Sequence, residues 1–195
     1  MGVRVPLPPA DLATRRLPIH HIVSDRPLYR VHSHAHGPIY FGKGPVHRFD
    51  SPTRAFGVLY LGKDLRCAFV ETLLRDPRLK IVSQAEVDAR RWSVLVFRRR
   101  LRLAMLFGPG LQRVGTTAGV STGTLSISRA WAQALHDHRD AVDGIAYQSR
   151  HDNAQRCVAL FERAGDTIRL KLEGQTFDPA WLDKTLELYG KAWIA

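Results

Sequence analysis

The stretch Phe56-Gly57-Val58-Leu59-Tyr60-Leu61-Gly62-Lys63-Asp64-Leu65-Arg66-Cys67-Ala68-Phe69-Val70-Glu71-Thr72-Leu73-Leu74-Arg75 decides how this chain folds. It opens on an apolar run too hydrophobic for a surface loop, which Gly62 and Asp64 then punctuate. A helix-length segment follows, with Asp64 placed to cap its first turn. At helical spacing Leu65, Ala68, Phe69 and Leu73 share one face, and Cys67, Val70 and Leu74 occupy the other. Little of such a helix is left for water, yet Glu71 rides on it. A carboxylate there is costly unless something pairs with it or uses it. The plainer alternative is an exposed seam with Arg75, one turn on, worth about 0.2–0.5 kcal/mol.

On the N-terminal side, residues 1–16 read as a poorly ordered or draped arm. Leu17–Val23 and Pro27–Val31 read as short extended segments. His32, His34 and His36 then alternate up to the Gly37-Pro38 turn. Residues 39–52, carrying Gly42-Lys43-Gly44-Pro45 and Arg48, have the turn chemistry of a long functional loop. On the C-terminal side, Pro77 stops the helix and Trp92–Phe97 is a strand rich in β-branched and aromatic residues. Leu101–Leu106 reads as another strand, Gly108–Gly123 as a Gly- and Thr-rich loop, and Ser128–His138 as a helix. Asp143-Gly144 turns the chain into Ile145–Gln148, and Val158–Phe161 and Thr167–Leu172 are further strands. Asp178-Pro179 caps and starts a helix running through Tyr189. Strands outnumber helices without alternating regularly with them. The expected class is therefore α+β, a mixed, largely antiparallel sheet with helices packed on it, in a single domain spanning 1–195.

At 195 residues the chain is long enough for a substantial core. Its formal charge of +11 predicts attraction to something anionic: a nucleotide, a nucleic acid or an acidic protein. No apolar run reaches membrane-spanning length, and Met1–Arg16 lacks the apolar core of a signal peptide. Two cysteines are too few for a disulfide framework, and Cys67 reads as a buried thiol in a reducing, cytoplasmic compartment.

Walker, Gly-x-Gly-x-x-Gly and Cys-x-x-Cys fingerprints are missing. The alternating histidines lack a nearby Cys or carboxylate to complete a metal set, so no metal is expected. Arg98-Arg99-Arg100 has no interleaved aromatics and reads as a solvated basic edge. Ser149 with His151 two residues on lies outside a Gly-x-Ser-x-Gly context, which argues against a serine hydrolase.

Taken together, Tyr29-Arg30, Arg48 in its Gly/Pro-bounded loop, Tyr60, Glu71, and Ser149 within Gly144-Ile145-Ala146-Tyr147-Gln148-Ser149-Arg150 resemble the RES domain family, named for its arginine, glutamate and serine. The resemblance spans roughly Pro27 to Phe161. The loop departs from it: the family commonly carries a Gly-Gly-Arg-Trp-Asn-like run, and here the sequence is Val46-His47-Arg48-Phe49-Asp50. Both Arg30 and Arg48 thus stand as candidates for the family's arginine.

The resemblance implies a fold similar to ADP-ribosyltransferases, NAD⁺ as substrate, and cleavage of its nicotinamide–ribose bond by a toxin of a toxin–antitoxin pair. It implies catalytic roles for Glu71, Arg30 and Ser149, and substrate contacts from Arg48, Tyr40 and Tyr60. The acceptor stays open between water, phosphate and a protein side chain, so the enzyme would be a glycohydrolase, a phosphorylase or an ADP-ribosyltransferase. The implied partner is a helix-turn-helix antitoxin, with an acidic host protein as a further target and no direct nucleic-acid or membrane contact. The rival expectation, from charge alone, is a non-enzymatic basic nucleic-acid-binding protein.

Overall fold

A computed structural model describes residues 5–194. In chain order the elements are β1 (Ile19–Ile22), β2 (Leu28–Ser33), β3 (Val58–Gly62), α1 (Leu65–Leu73), β4 (Ile81–Ser83), α2 (Gln84–Asp88), β5 (Arg90–Phe97) and β6 (Leu101–Leu106). There follow α3 (Pro109–Val114), α4 (Gly119–Thr122), α5 (Leu125–His136), β7 (Gly144–Gln148), β8 (Arg156–Phe161), β9 (Ile168–Gln175), α6 (Pro179–Leu188) and β10 (Ala192–Ile194). The expected α+β class holds. Eight strands form one sheet in the order β1-β6-β7-β8-β3-β2-β5-β9, antiparallel throughout except for the β6–β7 pair. A small parallel pair, β4 with β10, lies apart from it.

β3 sits near the middle of that order because both of its faces are apolar. Strand alternation sends Val58 and Tyr60 to one face and Leu59 and Leu61 to the other. The first face packs against α5 through Trp131 and Leu135, together with Phe49, Phe56 and Phe161. The second gathers Leu95 of β5 with Leu101 and Leu103 of β6, although four strands separate β5 from β6 in the sheet order. Only a strongly curled sheet brings them together. A third apolar group, around Phe69, Phe177 and Leu182, seats α1 against α6.

α1 begins where the sequence placed it. The Asp64 carboxylate accepts from the Cys67 amide at 2.8 Å, satisfying one orphan donor of the first turn. The helix lies directly on the end of β3: a Cβ on Gly62 would fall 2.6 Å from the Ala68 nitrogen. Gly62 is therefore what lets the strand-to-helix turn close and points α1 back across the sheet. α6 starts in the same way, with Asp178 accepting from the Trp181 amide and Pro179 at its first position.

Several expectations change. The Gly- and Thr-rich stretch 108–123 is not a loop but two short helices, α3 and α4. Its glycines serve packing: a Cβ on Gly110 would lie 2.2 Å from the Met105 carbonyl oxygen. α5 starts at Leu125, three residues earlier than its periodicity predicts. β4, α2 and β10 are too short to leave a period. β9 is an edge strand, so Leu170 and Leu172, apolar by alternation, remain exposed. Arg98, Arg99 and Arg100 are exposed, as expected of a basic edge, but the Arg99 guanidinium forks onto the buried Asp143 at 2.9 and 2.7 Å. The arm is draped rather than loose over its described part. Leu12 is buried, Trp131 donates to the Pro6 carbonyl, and buried His138 bridges the Leu12 and Arg15 carbonyls. Residues 1–4 of the arm lie outside the described residues. No described helix is long and apolar enough to cross a membrane.

Candidate active site

α1 and the turn after β7 meet at one hydrogen bond. The Ser149 hydroxyl donates to Glu71 Oε1 at 2.5 Å. The same Oγ accepts from the backbone amides of His151 and Asp152, each at 3.0 Å. Two incoming amides polarise the hydroxyl and commit its proton to the carboxylate. Among the described residues Glu71 Oε2 has no protein partner, and Glu71 lines a cavity of about 510 Å³. The Arg75 alternative is not realised, since its Nε donates to the Glu71 main-chain carbonyl and not to the carboxylate.

Five of the six residues expected at a site line that one cavity: Arg30, Tyr40, Arg48, Tyr60 and Glu71. Ser149 does not. It is buried behind Glu71 and reaches the cavity only through the carboxylate. Its position is that of a residue that orients Glu71 rather than one that touches a ligand. His151 meets Ser149 through its amide, and no bond joins its ring to the Ser149 hydroxyl among the described residues. Ser149→Ala should cost about 1 kcal/mol of stability, from the bonds lost in the turn. It should also lower turnover roughly tenfold, about 1.4 kcal/mol, with KM little changed. A KM rise without a kcat loss would show that Ser149 meets the ligand directly.

The two arginines arrive differently. Arg48 Nη1 is tied to the Gly123 carbonyl at 2.8 Å and the Ser128 hydroxyl at 2.9 Å, which anchors it to the start of α5. Glu71 and Arg150 are among the groups whose charges it feels, so it stands at the Glu71 end. Arg30, on β2, donates to the Tyr40 carbonyl at 3.2 Å. Burial without a carboxylate partner lowers its pKa to about 10, so it still enters the cavity as a full cation at neutral pH. A desolvated cation with no anion beside it is a group waiting for one.

Tyr60 is a structural post as well as a lining residue. Its hydroxyl donates to Asp50 Oδ1 and accepts from the Phe49 amide, both at 2.9 Å. Asp50 Oδ2 accepts from the Val46 and His47 amides at 2.9 and 2.5 Å. This knot shapes the loop that presents Arg48, and Asp50 was not singled out from sequence. Tyr40, by contrast, is exposed and stacks on His36 at 5.7 Å between ring centroids. The three alternating histidines part company. His32 is buried between backbone carbonyls and Ser93, His34 turns to the Ala89 carbonyl, and His36 joins Tyr40. The cavity floor adds Tyr147 and Cys157, the latter's sulfur 3.3 Å from that of Cys67. Both thiols are free and buried.

His47 and His151 also line the cavity; the sequence reading passed over His47 and weighed His151 only as a partner for Ser149. Burial lowers the pKa of each. Nearby arginines add to this, while Asp50 and Glu71 respectively oppose it. For a base whose folded pKa is depressed, the unfolded chain takes up the proton first as pH falls. Stability is therefore lost from about pH 6.5 downward until the folded groups also titrate. Thermal melts between about pH 8 and 5.5 should show this acid-side decline, and the double variant His47→Gln/His151→Gln should flatten it. Parallel curves would mean that neither ring titrates differently in the fold.

The structure thus sets an acid held by a serine beside an arginine-lined cavity. No curated protein matches the sequence. Among solved structures, the fold is similar to a chain in the crystal structure of the M. tuberculosis MbcT–MbcA toxin–antitoxin complex. The TM-score is 0.64 at 17% identity, covering 93% of this chain and 96% of that one. Residues 27–181 match the RES domain, and that span runs from the start of β2 into α6, enclosing every cavity residue named above. The chain belongs to the RES domain family.

Proposed function

We propose that this protein is a toxin that cleaves the nicotinamide–ribose bond of NAD⁺ and is held in check by an antitoxin. The observation that carries the reading is the Glu71 carboxylate, held by Ser149 through Oε1, left without a protein partner at Oε2 among the described residues, and lining an arginine-rich cavity. In the proposed reaction the C–N bond breaks and its electron pair leaves with nicotinamide, which departs neutral. The ribose carbon becomes oxocarbenium-like, and a carboxylate beside it stabilises that charge as it develops. Oε2 takes that position and can also grip a ribose hydroxyl. Arg48 stands at the same end, suited to a phosphate oxygen or the ribose. Arg30 supplies an unpaired fork for the pyrophosphate. The Tyr60 and Tyr147 rings wall the nicotinamide end, and Tyr40 stacks on what lies at the mouth.

The acceptor is read from the products. Purified protein incubated with NAD⁺ yields free ADP-ribose if water attacks and a phosphorylated ADP-ribose if inorganic phosphate does. With cell extract present, it yields a modified protein if a side chain attacks. An unchanged NAD⁺ pool under all three conditions removes the enzymatic reading. Retention on a nucleic-acid column with a steep salt slope would then favour the basic binding protein.

Arg30→Ala and Arg48→Ala should each weaken ADP-ribose binding by about 1.5–3 kcal/mol, the usual loss for a charged hydrogen bond. Arg30→Ala should leave the free protein as stable as the parent, because it removes a desolvated and unpaired cation. Calorimetry showing parental affinity in both variants would place the ligand elsewhere.

An enzyme that consumes NAD⁺ injures its own cell. A helix-turn-helix antitoxin with an acidic segment suits a +11 partner and would be steered to it electrostatically. The buried free thiols suit a reducing cytoplasm. Expression alone should arrest growth and deplete NAD⁺, and co-expression with the neighbouring antitoxin gene should restore both. Normal growth with soluble protein and undiminished NAD⁺ counts against the toxin.

A further inference from the structure

The cavity carries more positive charge than NAD⁺ can use. Arg30, Arg48, Arg75, Arg90 and Arg150 line it, against the single carboxylate of Glu71. None of the five is in an ion pair among the described residues. With histidines counted neutral, the lining holds an excess of four positive charges. The pyrophosphate of NAD⁺ answers two of these, and its pyridinium gives one back.

Three of the five, Arg48, Arg75 and Arg150, gather about Glu71 and His151, and Arg90 stands apart from them at the other end. The lining crosses neighbouring strands of the sheet, from Tyr147 on β7 through Cys157 on β8, Tyr60 on β3 and Arg30 on β2 to Arg90 on β5. At about 4.8 Å per strand this is a run of roughly 19 Å. Glu71 and Ser149 mark the β7 end, where the glycosidic bond would be cut. The far end belongs to the adenosine half. There Arg90 pairs in register with Ser33, and both line the cavity. The guanidinium of Arg90 makes no hydrogen bond among the described residues, although those of its neighbour Arg91 and of Arg30 do. The stacked His36–Tyr40 rings, 16° apart in plane, lie along the same wall and give an adenine a platform.

Resting on the proposed reaction, we propose that the cavity also takes the 2′-phosphorylated dinucleotide NADP⁺, with Arg90 holding the 2′-phosphate beside Ser33. That group brings about −1.5 to −2 charge and three acceptor oxygens, matching an unpaired guanidinium fork. The bond broken is the same one, and the electron pair again leaves with nicotinamide.

The test compares NAD⁺ and NADP⁺ consumption by the whole chain, with binding of 5′-AMP, 2′,5′-ADP and 3′,5′-ADP read by calorimetry. The expected result is NADP⁺ consumption with kcat/KM within tenfold of that for NAD⁺. 2′,5′-ADP should bind at least tenfold tighter than 5′-AMP. Arg90→Ala should remove both the tighter binding and the NADP⁺ turnover while leaving NAD⁺ consumption within threefold, and Arg90→Lys should restore part of each. Consumption of NAD⁺ alone overturns the 2′-phosphate site and leaves the proposed reaction standing. Consumption of neither dinucleotide overturns both. Equal tightening by 3′,5′-ADP marks a diffuse positive field and also overturns the site.

Discussion

Glu71→Gln should lower NAD⁺ consumption by about 100- to 1,000-fold, or 2.7–4 kcal/mol of transition-state stabilisation, while leaving the fold intact. The swap is nearly isosteric. The amide oxygen it introduces can still accept from the Ser149 hydroxyl, which itself remains held by the His151 and Asp152 amides. What disappears is the negative charge of the carboxylate that lines the cavity. Ground-state binding should change little, because in the proposed binding mode the pyrophosphate contacts fall to the arginines. The expected pattern is thus a collapse of kcat with ADP-ribose affinity close to the parent's. Removing a carboxylate from an arginine-lined cavity also lifts an attraction that balances those cations, so anion affinity should rise slightly if it moves at all. Circular dichroism and a melting temperature within a few degrees of the parent's separate this outcome from unfolding. An active Glu71→Gln enzyme would remove the carboxylate from the chemistry and with it the reason for Ser149's position.

How far the sequence carried can be judged at particular residues. α1 was legible because a capping Asp64, a two-faced apolar period and an out-of-place Glu71 all lie within one short segment, where local rules operate. The strands β3, β5, β7 and β8 were legible from β-branched and aromatic runs. The helices α3 and α4 were not, because glycine weighs against helix in isolation, and the contact that demands Gly110, a close approach to Met105, is tertiary. The site divides in the same way. Glu71, Arg30 and Arg48 could be named as chemistry-bearing types, but their convergence is a property of the sheet order, which sets β7, β8, β3 and β2 side by side. Ser149 could be named but not assigned a role. Only the structure shows its hydroxyl turned to Glu71 and its surface buried. The pairing of the exposed Arg99 was not legible because its partner Asp143 lies far along the chain.

Asp50 is the residue whose loss should reach furthest beyond its own position. It is 2% exposed, has no basic side chain paired with it, and is held wholly by donors: the Val46 and His47 amides on Oδ2 and the Tyr60 hydroxyl on Oδ1. Asp50→Ala leaves those donors without an acceptor. Val46 and His47 are exposed residues and Tyr60 is half-buried, its phenol pKa raised by burial and by Asp50. The expected cost is therefore about 2–4 kcal/mol of stability, led by the Tyr60 hydroxyl and tempered at the two amides. Substrate affinity should fall as well, by as much as in Arg48→Ala, because the loop that aims Arg48 is shaped by this knot. Asp50→Asn is the discriminating companion, since it restores the asparagine common at this place in the family's loop. Its oxygen can accept the two amides while its NH₂ faces the Tyr60 oxygen, so only the phenol proton loses its acceptor. It should cost about 1 kcal/mol and keep most of the activity. Tyr60→Phe cuts the same knot from the other side. Combined with Asp50→Ala it should cost much less than the sum of the two single changes, since both remove one shared hydrogen bond. Additive losses in that double-mutant cycle, or full substrate affinity in Asp50→Ala, would show that Arg48 is held by Gly123 and Ser128 alone and that the Asp50–Tyr60 pair only fills the core.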